Sequence, residues 1–312
     1  MGKLDSISSN PTMRQYAQGA AQSAIQPVAD FLAPPVDVGE ATGKYKVYTE
    51  KNRFHIPDSK RAIGGPATRL SFEASDATYN CDPHALDFPV DKLEQLEASS
   101  LENMLQEGAR AIAEAAALEH EKTVIDVALA SVGAGDDLNA SEGSTVDLVD
   151  EIDQRILTVL KAARYGSIMG IGVLFGTEAF RRFKNHNKVR GRFNAGKRAS
   201  QLINPTIDEA SGLFIGTPDT RVSYMVHDTA GPGETDSISF LLDAAVIVFA
   251  RMASPTRRDP SFMKTFRLAG EWMRPGSYVT EDGRSEVASF DWSEDVVVTN
   301  SGAAARVNLN AS

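Results

Sequence analysis

The longest periodic stretch of the chain, residues 99–131, predicts one long helix. Apolar and small residues recur there in steps of three and four, which places them on one helix face. This predicted stripe comprises Leu101, Met104, Leu105, Gly108, Ala111, Ile112, Ala115, Leu118, Ile125 and Leu129. Ser99 and Glu102 form a capping box at its start, and Gly133 and Gly135 predict its end. At about 1.5 Å per residue the helix spans roughly 45 Å, so we expect other elements to lie along it.

Two different patterns precede this helix. Residues 1–35 predict a polar arm with one weak helix over residues 13–32, which two prolines terminate. Residues 36–90 predict an extended hairpin, because β-type runs at 45–48 and 69–74 flank a long polar tip. An isolated two-stranded ribbon is marginal in water, so we expect the hairpin to lie on a neighbouring molecule. The alternative is an unstructured surface loop.

After the long helix, residues 134–261 alternate apolar strands with helices, the pattern of a small α/β domain. The predicted helices are 149–163, 177–183 with Thr177 as its cap, and 206–213. The predicted strands are 168–175, 221–226 and 244–250. Residues 262–312 return to a β pattern, with strands at 287–292, 296–299 and 306–309 that we expect to pair alongside the long helix.

Composition narrows the class of protein. The 312 residues are 42% hydrophobic, enough for a substantial core, and no apolar run reaches the roughly 20 residues of a membrane helix. The polar N-terminus has no apolar signal core. Cys81 is the single cysteine, so we expect a small packed thiol in a reducing compartment. A net charge of −10 argues against nucleic-acid binding over the whole surface.

The sequence contains no complete catalytic or metal-binding motif. Residues 191–197 have the glycine and lysine spacing of a phosphate-binding loop, but Arg198 replaces the hydroxyl residue that would bind magnesium. Glycines at 170–176 miss a dinucleotide fingerprint by one residue, and residues 137–142 begin like a calcium loop without its glycine. His120, between two glutamates, is expected to be a solvated helix residue. We expect no enzyme activity, no catalytic residues, no cofactor and no metal.

One cluster of charge remains to be explained. Residues 181–198 contain eight lysines and arginines and no acid, with Phe180, Phe183 and Phe193 interleaved. Bases and aromatic rings suit phosphate and stacking contacts with nucleic acid. The alternative partner is the acidic stretch 136–153 of a neighbouring copy, which has seven carboxylates and no base. We favour the second because opposite charges orient such contacts and the acidic partner is part of the same sequence.

Several segments carry a resemblance over nearly the whole chain. They are Leu32-Ala33-Pro34 leading into GKYKVY at 43–48, Lys60-Arg61-Ala62 with Gly64-Gly65, TYNCDPHALDFPVD at 78–91, LFGTEAFRRFKNHNKVRGRF at 174–193, and FDWSEDVVVTNS at 290–301. With the order of elements, they resemble the major capsid proteins of tailed bacteriophages, whose fold is named for phage Hong Kong 97. The resemblance is one of architecture, since a shell protein has no catalytic motif.

The resemblance implies an α+β, Hong Kong 97-like capsid fold in four parts. These are an N-terminal arm (1–35), an extended β-hairpin loop (36–90), a peripheral domain with the spine helix (91–133 and 262–312), and an α/β axial domain (134–261). Hexamers and pentamers of the chain would then form the icosahedral head around double-stranded DNA, assembled in the host bacterial cytoplasm without a membrane.

The resemblance also implies partners and contact residues. Separate scaffolding, portal and decoration proteins are implied partners, because the arm is too short for a cleaved scaffolding segment, and the packaged DNA would be contacted weakly. Candidate inter-subunit contacts are Tyr45, Tyr48, Arg53, Phe54, Arg61, Arg69, Arg181, Arg182, Lys184, Arg190 and Arg192. Two alternatives remain: an encapsulin-like nanocompartment shell of the same fold, and a nucleotide- or nucleic-acid-binding enzyme based on the basic cluster.

Overall fold

A computed structural model describes most of the chain between residues 27 and 311. The described residues are 27–47, 59–61, 63, 65, 75–91, 101–163, 170–194, 205–230, 235, 237–252, 254–270 and 274–311. The predicted capping box at Ser99, most of the predicted arm helix, most of the hairpin tip and the predicted strand 69–74 lie outside them.

Six α-helices occur in this part of the chain. They are α1 (Ala29–Leu32), α2 (Leu101–Val132), α3 (Leu148–Ala163), α4 (Thr177–Asn185), α5 (Asn187–Asn194) and α6 (Ile207–Ser211). The long helix is thus confirmed, and Gly133 ends it as predicted: its φ is +70°, and its N–H donates to the Leu129 carbonyl at 3.1 Å. None of the described helices combines the length and apolarity that crossing a membrane requires.

The described strands number fourteen. The first seven are β1 (Pro35–Val38), β2 (Thr42–Val47), β3 (Ser75–Asn80), β4 (Asp82–Asp91), β5 (Asp136–Asn139), β6 (Gly170–Phe175) and β7 (Asp219–Val222). The others are β8 (Val226–Asp228), β9 (Ile238–Phe240), β10 (Ala245–Arg251), β11 (Met263–Leu268), β12 (Arg274–Val279), β13 (Ser285–Val298) and β14 (Ala304–Asn310).

The first sheet is built around β13. This 14-residue strand pairs with β4 along one edge and with β12 and then β11 along the other, and β1 adds to β11 in parallel. At about 3.3 Å per residue β13 spans roughly 46 Å. Helix α2, with 32 residues, spans about 48 Å and packs against β13 and β4. The unusual length of the helix therefore matches the strand beneath it.

The second sheet has the order β5-β14-β10-β6-β7, with α3 packed on its central strand. Strand β10 is almost wholly apolar and buried, as predicted for 244–250, and pairs antiparallel with β14 and β6. The predicted strand 306–309 does contact the long helix, as expected, but it pairs in the second sheet and not with the other two predicted strands. A short 3₁₀ turn, Ser301–Ala303, turns the chain into the second sheet, where Val307 and Leu309 are buried. The predicted domain boundaries themselves stay a prediction.

Helix α2 connects two hydrophobic cores. Its N-terminal half packs Leu105 and Ile112 into a core with Phe290 and Trp292 of β13. Its C-terminal half contributes Val124, Ile125 and Ala128 to the large core of the second sheet. These are the main buried apolar positions on the helix, together with Ala109, Ala113 and Ala116.

The buried face of α2 only partly follows the predicted stripe. Ala111 and Ala115 are exposed, whereas the polar His120 and Glu121 are buried. Gly108 lies on the buried face, so close to β4 that a Cβ atom there would come within 2.3 Å of the Phe88 ring. The face is therefore set by close approach to β4 and by partners for two polar side chains, which the apolar periodicity does not show.

The remaining local predictions had mixed outcomes. Thr206 caps α6 in a capping box, as expected of a helix beginning there. Thr177 is not the cap of α4; Gly176 holds that position, and the Thr177 hydroxyl donates to the Ser223 carbonyl at 2.7 Å. The predicted strand 221–226 is two strands, β7 and β8, and the two predicted strands 287–292 and 296–299 are one continuous β13.

Strands β2 and β3 pair antiparallel, but β3 follows the predicted strand 69–74, so the extended hairpin itself stays a prediction. The aromatic residues of these two strands pack on the first sheet: the Tyr79 ring stacks on Phe266 with centroids 4.5 Å apart, and Tyr45 lies 5.6 Å from the same ring. Cys81 is buried beside them, and burial raises the pKa of its thiol to about 11. It is thus the packed, unreactive thiol that the sequence predicts.

Candidate functional site

Glycine motifs that resembled nucleotide-binding loops have structural roles here. Gly191 lies inside helix α5, so the run that begins there does not start as a phosphate-binding loop. A Cβ atom on Gly176 would stand 2.2 Å from the Asp243 carbonyl oxygen, so this glycine allows a close backbone approach between β6 and α4. In the described part of the chain, no group of three His, Cys, Asp or Glu residues could hold a metal ion.

Four exposed apolar side chains among the described residues lie on or next to the short strands β8 and β9. Val226 pairs with Phe240 and Asp228 with Ile238, so these four side chains lie on one face of a two-stranded ribbon. Tyr224, Val226, Ile238 and Phe240 are between 38% and 69% exposed. We call this surface, formed by Tyr224, Val226, Ile238 and Phe240, the apolar ribbon.

The apolar ribbon is held firmly at both ends. At its base, the Ser223 N–H donates to the Phe175 carbonyl at 2.9 Å, which continues the second sheet. At its open end, one carboxylate oxygen of Asp228 accepts the N–H groups of Ala230 and Ser237, each at 2.9 Å. These hydrogen bonds lower the pKa of Asp228. The ribbon is therefore ordered by polar contacts that leave its apolar side chains exposed.

Such a surface is suited to association. Fully burying a side chain of the size of Val, Ile or Phe in an interface stabilises the complex by about 1.5–3 kcal/mol. Several such side chains together therefore provide a driving force for protein–protein contact. A two-stranded ribbon is marginal by itself in water and gains stability when another surface covers it. Sequence reasoning missed this surface, because 221–226 was predicted as one strand and 238–240 was not predicted at all.

The basic cluster does meet the acidic stretch, but within one chain. Arg192 pairs with Asp147 at 2.7 Å and Arg190 with Glu142 at 3.5 Å. The Lys188 ammonium donates to the Thr145 carbonyl. These arginines therefore have acidic partners within their own chain, and the contact of the basic cluster with the acidic stretch of a neighbouring copy stays a prediction. Because α5 and the acidic loop lie side by side, their charges compensate locally.

Two arginines on α4 also have acidic partners within the chain. Arg181 and Arg182 pair with Glu178 at 2.7 and 3.7 Å, and Lys184 is half-buried. The interleaved phenylalanines face inward: Phe180 and Phe183 are buried and Phe193 packs against the same core. They are unavailable for stacking on bases, which removes the aromatic half of the nucleic-acid interpretation. Residues 195–200 lie outside the described part.

The hairpin candidates are only partly described. Tyr45 is buried against Phe266 of its own chain, so its ring is already covered. Arg61 is exposed and donates to the Gly65 carbonyl at 2.9 Å. Tyr48, Arg53, Phe54 and Arg69 lie outside the described residues. The contact role of the candidate set stays a prediction.

The expectation that His120 is solvated is wrong. Its ring is buried between Glu294 of β13, Asp30 of α1 and Arg267 of β11. Its partners lie 90 to 174 residues away in the sequence, so a histidine between two glutamates gives no signal of them. This cluster is the densest buried arrangement of titratable groups among the described residues.

Comparisons with known proteins identify the fold. No protein-family model and no curated protein matches the chain. Among solved structures, a phage-related protein from Bordetella bronchiseptica RB50 is 18% identical with a TM-score of 0.71, over 98% of this chain and 100% of the other. The capsid of Cyanophage P-SCSP1u is 10% identical with a TM-score of 0.56, over 92% and 89%.

An encapsulin complex from Synechococcus elongatus PCC 7942 is similar to the same degree. It is 10% identical with a TM-score of 0.57, over 93% of this chain and 90% of the other. At such identities the likeness is one of fold. The mixed α+β chain therefore has the major capsid fold of tailed phages, which encapsulins share, and the predicted fold is confirmed at that level.

Proposed function

We propose that this chain is the major capsid protein of a tailed bacteriophage, which self-assembles as hexamers and pentamers into an icosahedral head around double-stranded DNA. The observation that carries this proposal is the fold, which a cyanophage capsid shares over 92% of this chain and a phage-related protein over 98%. The apolar ribbon adds an exposed surface suited to contact between copies. The role is structural, and no step of it requires a catalytic residue or a cofactor.

Each part of the chain has a proposed role in this shell. Helix α2 is the spine of a peripheral domain with the first sheet, and the second sheet belongs to an axial domain that meets its copies around the five- and six-fold axes. The hairpin that begins at β2 and β3 extends over an adjacent subunit. The predicted arm, residues 1–35, is proposed only for the residues before Val28, because Val28 to Ala33 pack into the large core. Strand β14 pairs in the second sheet, which supports moving residues 304–310 to the axial domain.

A cargo-enclosing nanocompartment is the second candidate. The encapsulin complex and the cyanophage capsid have nearly equal TM-scores to this chain, 0.57 and 0.56, so fold similarity favours neither. The two functions differ in contents: a phage head is expected to enclose DNA with separate scaffolding, portal and decoration proteins, and a nanocompartment to enclose protein cargo. Nuclease-protected DNA in shells purified from the producing cell distinguishes them.

Substitution on the apolar ribbon tests self-assembly directly. Ile238 is 69% exposed, so Ile238→Asp is expected to leave the subunit folded. It places a charge in a contact that copies must desolvate, and we expect the yield of closed shells to fall at least tenfold. Sedimentation velocity gives the distribution between shells and free subunits, and the melting temperature reports on the fold.

Ser239→Asp is the matched control, because the neighbouring residue of the same strand points to the opposite face of the ribbon. It introduces the same charge and is expected to assemble normally. Shells formed by Ile238→Asp in normal yield would show that the apolar ribbon is not an assembly contact. Loss of assembly in both variants would indicate a general effect of charge.

A further inference from the structure

Four elements meet at one buried cluster of charged side chains. The His120 Nδ1 atom of α2 lies 2.8 and 3.0 Å from the two carboxylate oxygens of Glu294 on β13. The Arg267 guanidinium on β11 donates through Nη2 to the Asp30 carboxylate of α1 at 2.6 Å. The two pairs touch, since His120 Nε2 lies 3.3 Å from Arg267 Nη2 and 3.9 Å from Asp30 Oδ1. His120, Glu294 and Arg267 are all buried.

Glu121 of α2 attaches the start of helix α1 to α2 as well. The two carboxylate oxygens of Glu121 accept the backbone N–H groups of Val28 and Ala29 at 2.9 and 2.8 Å. The segment 28–38, which contains α1 and β1, is thus held by adjacent residues of α2. The titratable and charged groups facing His120 from the surrounding elements are Asp30, Glu121, Arg267 and Glu294. We call these four residues and His120 the latch cluster.

The two protonation states of His120 hold this segment differently. When the ring is a cation, both nitrogens carry hydrogen, so it binds Glu294 through Nδ1 and attracts Asp30 through Nε2. When the ring is neutral with the proton on Nδ1, Nε2 is an acceptor for Arg267 and no longer attracts Asp30. One proton therefore decides whether His120 attracts Asp30 directly or only through Arg267, while Glu121 holds the Val28 and Ala29 backbone in both states.

We propose that the latch cluster is a proton-dependent latch that fixes segment 28–38 to the spine helix and the first sheet when His120 is protonated, and loosens it when His120 is neutral. The latch is a property of the single chain, so it does not depend on whether copies assemble into a shell.

The electrostatics of the cluster agree in sign with this latch. Burial lowers the pKa of His120, but the hydrogen bonds and charge of Asp30 and Glu294 outweigh it, so the pKa is raised. The stabilisation that protonated His120 gives to the fold is therefore complete at pH values below the ordinary histidine pKa. It is lost as the pH rises through the raised pKa. Burial also raises the pKa of Glu121, so the contribution of Glu121 to stability likewise falls as the pH rises. Asp30 has a side chain that is 55% exposed; desolvation by its neighbours raises its pKa, but the hydrogen bonds and charges of His120 and Arg267 outweigh this and lower the pKa, so its contribution is lost only in strong acid.

Amide hydrogen exchange of the intact protein tests the latch. Protection factors, corrected for the intrinsic effect of pH on exchange, are measured for segment 28–38 at pH 5.5 and pH 8.5. We expect protection there to fall by about tenfold or more at the higher pH, since loss of one partner leaves buried charges uncompensated. Amides of the buried strand β10 serve as the internal reference and are expected to change much less.

Two variants make the test specific. His120→Gln keeps a polar side chain without a titrating ring, so protection of 28–38 should depend on pH much less than in the wild type, with only the contribution of Glu121 remaining. His84→Gln is the control: His84 lies at the same sheet, 3.7 Å from Glu119 and outside the latch cluster, and should retain the wild-type dependence. Wild-type protection that does not change with pH would overturn the latch, as would an unchanged pH dependence in His120→Gln. If His120→Gln does not fold, the wild-type comparison of protection at pH 5.5 and pH 8.5 alone tests the latch.

Discussion

At the scale of single residues, His186 shows the cost of a buried imidazole. The residue is fully buried between α4 and α5, and neither ring nitrogen has a hydrogen-bond partner among the described residues. Burial, with the nearby charge of Lys188, lowers its pKa, so the folded chain keeps the ring neutral. It is the opposite of His120, whose carboxylate partners favour the charged ring.

His186→Phe is therefore expected to stabilise the protein. Removing a buried polar group without partners should raise the free energy of unfolding by about 1 kcal/mol at pH 8. The gain should grow as the pH falls below 6.5, because the unfolded wild-type chain then binds a proton that the folded chain resists. Urea denaturation of both proteins at pH 8 and pH 5.5 measures this, and His120, present in both, cancels in the difference. A variant less stable than wild type at both pH values would contradict it.

At the scale of elements, two helical glycines lie in different surroundings. A Cβ atom on Gly108 of α2 would come within 2.3 Å of the Phe88 ring on β4, whereas one on Gly191 of α5 would meet nothing within 4 Å. Alanine is favoured over glycine inside a helix by about 0.8–1.0 kcal/mol. Only at Gly108 does close helix–sheet packing oppose that preference.

Alanine at the two positions should accordingly have opposite effects. We expect Gly191→Ala to stabilise by about 0.5–1 kcal/mol and Gly108→Ala to destabilise by about 1 kcal/mol, since overpacking outweighs the gain in helix propensity. Each value comes from thermal or urea unfolding of the single variant, with the other as its matched control. Equal stabilisation at both positions would show that Phe88 moves aside freely and does not fix the distance between α2 and β4.

The same elements show what the sequence could and could not predict. The length and end of α2 follow from local signals, namely apolar recurrence and Gly133. The burial of His120 and Glu121 could not be predicted, because Glu294 and the Val28 backbone are distant in sequence and become neighbours only in the fold. The basic cluster was recognised from its composition, but which chain supplies its acidic partner depends on the turn between α2 and α3.

At the scale of the whole molecule, α2 and β13 form a matched pair nearly 50 Å long. The helix contributes its two halves to two different cores and so connects the first and second sheets. Among the described residues, the long helix, the strands and helices that follow it, and the returning strand β13 occur in the predicted order. The apolar ribbon was not predictable, because its short strands carry no long apolar pattern and their exposure depends on the surrounding fold.

The central claim, that copies of this chain form a closed shell, is tested most directly by electron microscopy of the purified wild-type protein. We expect uniform closed particles whose averaged images show icosahedral symmetry, because the chain has a capsid fold and an exposed apolar ribbon. A protein that stays a monomer or a dimer at every salt and protein concentration tested would contradict the claim.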